Sequence, residues 1–252
     1  MRFHFISSEN PEAKQALKAF KERYKQSKIE DSDAIIAIGG DGMLLKALRN
    51  SLEAKIPVFG LNKGNVGFLM NELSYDDLEK RVSIADKVIM HPLKMKAHNI
   101  NGKVITESAV NEVSLSRQTH QAAHLKIIID DKERLSELVC DGILVSTPIG
   151  STAYNLSAHG PIIPLNANIL ALTPISAFRP RRWKGALLPE NVKIRIEILD
   201  CERRTVSATA DNIEARNIKK IEIFADKTKT LTLLHDPGHS LDERIMKEQF
   251  LT

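Results

Sequence analysis

The chain is poor in cysteine and in long apolar runs, and each shortage excludes a class of protein. Its 252 residues include two cysteines, Cys140 and Cys201, whose spacing fits neither a metal site nor a disulfide framework. No apolar run approaches the length needed to span a membrane. Residues 1–6 have the composition of a strand and lack the layout of a signal peptide, so we expect a cytoplasmic protein with no membrane partner.

The chain also lacks a strong excess of one charge. It has 36 basic and 32 acidic residues, which gives a formal net charge of +4. This balance is compatible with an anionic small-molecule ligand, but it is far from the concentrated positive charge of a nucleic-acid-binding protein. We therefore expect no nucleic-acid partner.

The first third of the chain alternates strand-like and helix-like segments. The segments 3–6, 34–38 and 56–61 have the apolar content and length of strands, whereas 11–24 and 43–49 have helical composition. This order predicts an α/β domain over residues 1–92, with a Rossmann-like parallel sheet.

From about His91 onward, short alternating segments replace this pattern. Strands are predicted at 125–129, 135–139, 192–199, 221–224 and 231–234. We therefore predict a second, mostly antiparallel β domain over residues 93–236. A capping box at 240–243 predicts a short helical tail within residues 237–252.

The turn Gly39-Gly40-Asp41-Gly42 lies between a predicted buried strand and a predicted helix. The unpaired backbone N–H groups at a helix start form an anion site, and glycine lets a ligand approach the backbone closely. A carboxylate beside a bound phosphate is unfavourable for binding alone, so Asp41 indicates chemistry. The alternative is that Asp41 is simply the N-cap of the helix.

Two further segments carry clustered polar side chains. In Thr147-Pro148-Ile149-Gly150-Ser151-Thr152-Ala153-Tyr154, hydroxyl groups follow a short apolar strand and suit a ribose, an amide or a phosphate. The alternative there is a polar turn whose Ser and Thr side chains bond their own backbone. The pair Asn111-Glu112 interrupts a strand-like run, and its alternative interpretation is a strand end with exposed polar groups.

Together these three segments resemble the NAD kinase family, and the resemblance covers nearly the whole chain. The family combines GGDG, an Asn-Glu or Asn-Asp pair, and a TPTGSTAY stretch that continues into a Ser-Ala-Gly-Gly-Pro-like element, where this chain has Ser157-Ala158-His159-Gly160-Pro161. GGDG is shared with lipid kinases and phosphofructokinases, whereas the TPIGSTAY stretch is specific. The resemblance implies phosphorylation of the 2′-hydroxyl of the adenosine ribose of NAD, with ATP or polyphosphate as donor. A lipid or sugar kinase and a non-catalytic dinucleotide sensor are the alternatives.

The resemblance also implies roles for individual residues. Asp41 is the expected general base, and Gly39, Gly40 and Gly42 shape the phosphate loop. The residues expected to bind NAD are Asp41, Gly42, Phe68, Asn111, Glu112, Asp141, Thr152, Ala153, Tyr154, Asn155 and Ser157. We expect Mg²⁺ to be held mainly by the donor's phosphates rather than by a protein metal site. The protein is expected to be a homo-oligomer, a dimer or a tetramer.

Three positions depart from the family's pattern. Ile149 replaces a Thr or Ser, so a hydrogen bond is expected to be absent there, and His159 replaces a Gly. Asp211-Asn212 replaces a common Asp-Gly, so the resemblance gives Asp211 no more than a possible role. The basic segment 178–184 is interpreted either as a solvated surface or subunit contact, or as an attraction for the donor's phosphates.

Overall fold

The computed structural model describes residues 1–63, 69–181 and 183–237, and the chain divides into two compact units. The first unit contains Met1–His91 and the chain from Thr228 onward, and the second contains Pro92–Lys227. Among the described residues, no helix is both long and apolar enough to cross a membrane.

The first unit alternates strands with helices. Up to His91 its elements are β1 (Phe3–Ser7), α1 (Pro11–Arg23), a 3₁₀ turn (Ile29–Asp31), β2 (Ala34–Gly39), α2 (Asp41–Ala54), β3 (Val58–Asn62), β4 (Asn71–Glu72), α3 (Leu78–Ile84) and β5 (Asp86–Met90). Strands β1, β2 and β3 pair in parallel, and β4 pairs in parallel with β3. Every residue of β2 is buried, as expected for a central parallel strand that is covered on both faces.

The second unit is built almost entirely of strands. Its elements are β6 (Leu93–Asn99), β7 (Val104–Ala109), β8 (Glu112–Arg117), β9 (Ala123–Ile129), β10 (Lys132–Cys140), β11 (Gly142–Ser146), a 3₁₀ turn (Ile149–Thr152), α4 (Tyr154–Ser157), β12 (Ile169–Ile175), β13 (Ala186–Pro189), β14 (Ile194–Ile198), β15 (Val206–Ala210), β16 (Ile213–Ala215) and β17 (Ile218–Ala225). They form two antiparallel sheets, ordered β10-β9-β14-β17-β6-β7 and β13-β12-β11-β8-β15-β16. Both sheets contribute side chains to one apolar core. The predicted fold class, a parallel α/β unit and an antiparallel β unit, is confirmed.

The last described strand, β18 (Leu231–His235), returns to the first unit. It lies between β3, to which it is parallel, and β5, to which it is antiparallel. The assignment of 231–234 to the second domain is therefore wrong, because a short apolar run does not indicate which sheet it will join. Residues 238–252, which include the predicted capping box and most of the helical tail, lie outside the described residues.

A buried amide fixes this return strand. Asn71 Nδ2 donates hydrogen bonds to the carbonyl oxygens of Gly60 (3.0 Å) and Leu234 (3.1 Å), and Asn71 Oδ1 accepts the N–H of Asp236 (2.9 Å). The Asp236 carboxylate in turn pairs with Arg81 of α3. These bonds tie β3, β18 and α3 into one unit.

Candidate functional site

The glycine-rich turn lies where β2 ends and α2 begins. Gly40 precedes the helix, and its carbonyl oxygen accepts the N–H groups of Met43 (2.9 Å) and Leu44 (3.2 Å). Asp41 is the first helical residue, and no side chain caps this end of α2. The interpretation of Asp41 as the N-cap is therefore wrong, because the helix begins one residue earlier than a capping Asp41 would require.

The glycines of this turn meet different surroundings. Gly39 has φ +154°, and a Cβ there would lie 3.0 Å from the Met43 Cβ and 3.1 Å from Ser8, so its backbone position and packing favour glycine. At Gly40 and Gly42, a Cβ would meet nothing within 4 Å among the described residues. The packing of the described residues therefore does not require glycine at these two positions, whereas close approach of a ligand to the backbone would.

The Asp41 carboxylate is partly buried and is held by the chain that follows β3. Its Oδ1 accepts the N–H of Leu69 at 3.2 Å. The N–H of Lys63 donates to the Gly39 carbonyl oxygen at 2.9 Å, so the end of β3 also lies against the turn. Phe68, expected to contact the adenine, lies outside the described residues. Asn62 begins the loop after a predicted strand but was not among the residues predicted to bind NAD. Its buried Oδ1 has no hydrogen-bond partner among the described residues, and it is the register partner of Gly39.

In the second unit, the Asn111-Glu112 pair lies at the start of β8 and is bound by Asp211. Asp211 Oδ2 accepts the N–H of Val110 (2.9 Å), and its Oδ1 accepts the N–H groups of Asn111 (2.9 Å) and Glu112 (3.4 Å). Glu112 is 9% exposed, so the interpretation as an exposed strand end is wrong. Its burial, and then the nearby charge of Asp211, raise the pKa of Glu112 to about 7.

The Thr147 segment packs directly on this pair. The Thr147 N–H donates to the Asn111 carbonyl oxygen (2.9 Å), and its Oγ1 donates to the Val110 carbonyl oxygen (2.7 Å). A Cβ at Gly150 would lie 2.1 Å from the Asn111 carbonyl oxygen, so the close approach of the two segments requires glycine. Asn111, Glu112, Thr147 and Gly150 are thus brought together in the second unit.

The residues that follow Gly150, from the end of the TPIGSTAY segment to Ser157, have an interior side and an exposed side. Asn155 is fully buried: its Nδ2 donates to the carbonyl oxygens of Ser151 (3.2 Å) and Pro161 (2.8 Å), and its Oδ1 accepts the Thr173 hydroxyl (2.7 Å). Asn155 was expected to contact NAD, but its amide is used to join four segments of the second unit. Thr152 and Ala153 are partly buried, whereas Tyr154 and Ser157 are exposed.

Within the chain, Asp141 lies apart from the cluster formed by Asn111, Glu112, Thr147 and Gly150. It precedes β11, whereas Thr147 follows that strand, so the two residues lie about 20 Å apart along an extended chain. The Asp141 carboxylate accepts the Arg117 Nε–H at 2.6 Å and remains 44% exposed. Arg117 was also missed by the sequence analysis, because nothing in the local pattern distinguishes it from other basic residues.

The three departures from the family pattern have visible consequences. Ile149 is buried, with 3% exposure. His159 has φ +61°, a conformation that glycine adopts without cost. Asp211-Asn212 connects β15 to β16 in a two-residue turn, with Asp211 at φ +51°. An Asp-Asn pair between two strands signals a turn, but it does not reveal what the carboxylate binds.

Within the described parts of the chain, no group of three or more His, Cys, Asp or Glu side chains could hold a metal ion.

Comparison with known proteins gives matches over both units. The model of the ATP-NAD kinase N-terminal domain matches residues 2–91, and that of the C-terminal domain matches residues 110–232. The chain is 51% identical to the NAD kinase of Hyphomonas neptunium over 250 residues, which cover 99% of this chain and 98% of that protein. It is 50% identical to the NAD kinase of Caulobacter vibrioides over 249 residues, covering 99% and 96% of the two chains.

Two solved structures share the fold. A yeast NADH kinase in complex with NADH matches with a TM-score of 0.85 and 20% identity, over 100% of this chain and 88% of that one. An NAD kinase from Archaeoglobus fulgidus in complex with ATP matches with a TM-score of 0.75 and 23% identity, over 98% and 96% of the two chains. With a fold shared by these structures and about half of its residues shared with curated relatives along its whole length, the chain belongs to the NAD kinase family, a family of phosphotransferases.

Proposed function

We propose that the protein transfers the terminal phosphoryl group of ATP to the 2′-hydroxyl of the adenosine ribose of NAD and so produces NADP. The observation that carries this proposal is the placement of Asp41, a partly buried carboxylate at the first position of α2, between two glycines that the described packing does not require. Family membership over the full chain supplies the substrates.

Asp41 is proposed as the general base. A ribose hydroxyl is a weak nucleophile, and a positioned carboxylate that accepts its proton lowers the barrier to attack on the donor's phosphorus. The Leu69 N–H at 3.2 Å from Oδ1 limits the rotation of the carboxylate, so the base is held in one orientation before the hydroxyl arrives.

Gly39, Gly40 and Gly42 are proposed to form the phosphate loop. At the start of α2 the helix dipole and the unpaired N–H groups of the first turn attract negative charge. The absence of side chains at Gly40 and Gly42 would allow the donor's phosphate oxygens to reach these N–H groups. Mg²⁺ fits the same proposal as an ion held largely by the donor's phosphates and water, which is its usual coordination in phosphoryl transfer, and it would neutralise charge there.

In the second unit, Asn111 and Glu112 are proposed to bind the ribose hydroxyls of NAD. Glu112 has a buried Oε2 with no hydrogen-bond partner among the described residues, so it offers an acceptor that a sugar hydroxyl could use. Thr152, Ala153, Tyr154 and Ser157 are proposed to contact the bases, and Asp141 the carboxamide. For Asn155 the buried amide network supports a role in holding this segment together.

Three finer points belong to the same proposal: that inorganic polyphosphate can replace ATP, that the protein acts as a dimer or tetramer, and that it works in the cytoplasm. The first is tested by replacing the donor in the assay below. The second is tested by light scattering, where a monomeric mass would refute it.

The function is tested by incubating the protein with NAD, ATP and Mg²⁺ and following NADP with a dehydrogenase specific for NADP. We expect NADP to accumulate with time and with enzyme concentration. No product with either ATP or polyphosphate would refute the proposal.

The role of Asp41 is tested with Asp41→Asn, which keeps the shape and removes the proton acceptor. We expect turnover to fall by at least ~10²-fold, the lower range for general-base catalysis. The matched control is Glu79→Gln, which removes an exposed carboxylate from the first turn of α3 in the same unit and should leave turnover unchanged. Near-normal turnover in a folded Asp41→Asn protein would refute the general-base role of Asp41.

A further inference from the structure

We propose that Asp211 is a positioning residue for the acceptor nucleotide: its carboxylate fixes the main chain of Val110, Asn111 and Glu112, and its charge couples to that of Glu112. This inference rests on the proposed function, because it takes Glu112 as a residue that binds NAD.

The geometry is that of a carboxylate enclosed by consecutive backbone donors. The two Asp211 oxygens accept the N–H groups of Val110, Asn111 and Glu112, at 2.9, 2.9 and 3.4 Å. The Asp211 N–H returns a hydrogen bond to the Glu112 carbonyl oxygen at 3.1 Å. Residues about one hundred positions apart are thus joined by four hydrogen bonds. Asp211 therefore fixes the backbone of Asn111 and Glu112 at the start of β8.

The conformation of Asp211 serves these contacts. Its φ of +51° lies in the left-handed region, where Asp is tolerated better than most residues, and it occupies a two-residue turn between β15 and β16. A glycine in this turn would satisfy the backbone conformation but would leave three N–H groups without their acceptor. The carboxylate is therefore needed for its partners rather than for the turn.

The charges of Asp211 and Glu112 also act on each other. The Glu112 side chain is flanked in its sheet by Ser146 of β11, a neutral residue, and by the end of β15, which leads to Asp211. Burial raises the pKa of Glu112, and the charge of Asp211 raises it further, to about 7. Glu112 is therefore protonated in acid and ionised above about pH 7, where it can accept hydrogen bonds from two sugar hydroxyls.

This coupling predicts how the KM for NAD depends on pH. In the wild-type protein the KM should fall as pH rises through about 7, because ionised Glu112 is the better acceptor. Asp211→Asn removes a cause that raises the pKa of Glu112, so the inflection should move to lower pH. The same variant loses one acceptor for the N–H groups, so its KM above the inflection should rise by about tenfold, equivalent to about 1.4 kcal/mol.

Asp211→Glu separates position from charge. It keeps the negative charge but lengthens the side chain, so we expect a raised KM with the inflection left near its wild-type pH. If Asp211→Asn fails to fold, this second variant still tests the positioning role. For both variants kcat should change less than KM, because Asp211 is assigned no contact with the reacting atoms.

The matched control is Asp130→Asn. Asp130 also has a positive φ (+49°) in the second unit, and its Oδ1 also accepts a backbone N–H, from Lys193 at 2.9 Å, but its partners lie outside the Asn111-Glu112 segment. Its removal should change neither the KM for NAD nor the inflection. An equal effect of Asp130→Asn and Asp211→Asn would show that a general loss of stability is responsible, and would overturn the inference.

A ¹³C NMR titration of glutamate carboxylates, with Glu112 assigned from Glu112→Gln, tests the coupling without turnover. A lower Glu112 titration midpoint in Asp211→Asn than in wild type supports the inference, and an unchanged midpoint overturns it. If the wild-type protein made no NADP, the proposed function would fail while this titration still decided whether Asp211 governs Glu112.

Discussion

The glycine-rich turn of the first unit and the Asn111–Thr147 region of the second unit both contain glycines, but for opposite reasons. At Gly40 and Gly42 a Cβ would meet nothing described within 4 Å. At Gly150 a Cβ would lie 2.1 Å from the Asn111 carbonyl oxygen, and at Gly160 it would lie 2.1 Å from the Asn155 Oδ1. Glycine leaves room above the backbone at Gly40 and Gly42, whereas at Gly150 and Gly160 it lets two segments of the chain touch.

The polar side chains of the two regions also differ in their hydrogen-bond partners. In the second unit, Thr147, Asn155 and Asp211 form hydrogen bonds with other segments of that unit. Such bonds order the binding residues in advance, which lowers the entropy lost when a nucleotide binds. In the turn of the first unit, the partly buried Asp41 carboxylate lies at a helix start and accepts the N–H of Leu69. These contacts fit the two proposals made above, nucleotide binding by the second-unit segment and proton acceptance by Asp41.

The largest effect on the free energy of unfolding is expected when one glycine of each kind is replaced by alanine. Gly150→Ala should lower the free energy of unfolding by about 3–5 kcal/mol, because the added methyl group collides with backbone that cannot move aside. Gly42→Ala should keep the fold and raise stability by about 1 kcal/mol or less, through better helix propensity, while impairing the use of ATP. Denaturant unfolding and the NADP assay measure both.

Similar stability losses in the two variants would break the comparison. So would a Gly42→Ala protein that uses ATP as well as wild type does.

A smaller effect on the free energy of unfolding is expected at Glu112, because the ionised form that is proposed to bind NAD destabilises the fold. Because its pKa is raised from 4.5 to about 7 in the folded protein, Glu112 favours folding below pH 4.5, and this contribution is lost as pH rises through about 7. At pH 8 the ionised, buried carboxylate should cost about 3 kcal/mol. Glu112→Gln should therefore be more stable than wild type at pH 8 and similar to it near pH 4, yet bind NAD more weakly.

Thermal unfolding at the two pH values tests this expectation. The control is Glu214→Gln on the neighbouring strand β16, an exposed position where the substitution should not change the pH dependence of stability. If the two substitutions changed the pH dependence of stability equally, burial of Glu112 could not be the cause.

The smallest effect is expected at His159, whose φ of +61° is costly for most residues. His159→Gly should raise the free energy of unfolding by about 1 kcal/mol or less, because relief of backbone strain exceeds the added entropy of the unfolded chain. His120→Gly, in an exposed turn without a positive φ, should instead lower it slightly. Equal effects in denaturant unfolding would show that the strain at His159 is negligible.

Much of the fold follows from local sequence pattern. The apolar run 34–38 and the helical spacing of 43–49 predict β2 and α2, although α2 extends from Asp41 to Ala54 because its ends carry weaker signals. The strands around Asp130 and Asp131 are also confirmed, as β9 and β10. The return of β18 to the first unit could not be predicted, since its apolar residues would suit either sheet.

The sequence by itself determined the order of an α/β unit and a β unit, the position of the glycine-rich turn, and the family to which the motifs belong. These features depend on local periodicity and on short residue patterns. The tertiary structure alone decided that Glu112 is buried, that Asp211 binds the Asn111-Glu112 segment, and that Asn155 faces inward. The partner of a buried polar group comes from a distant part of the chain, and packing rather than local pattern selects it.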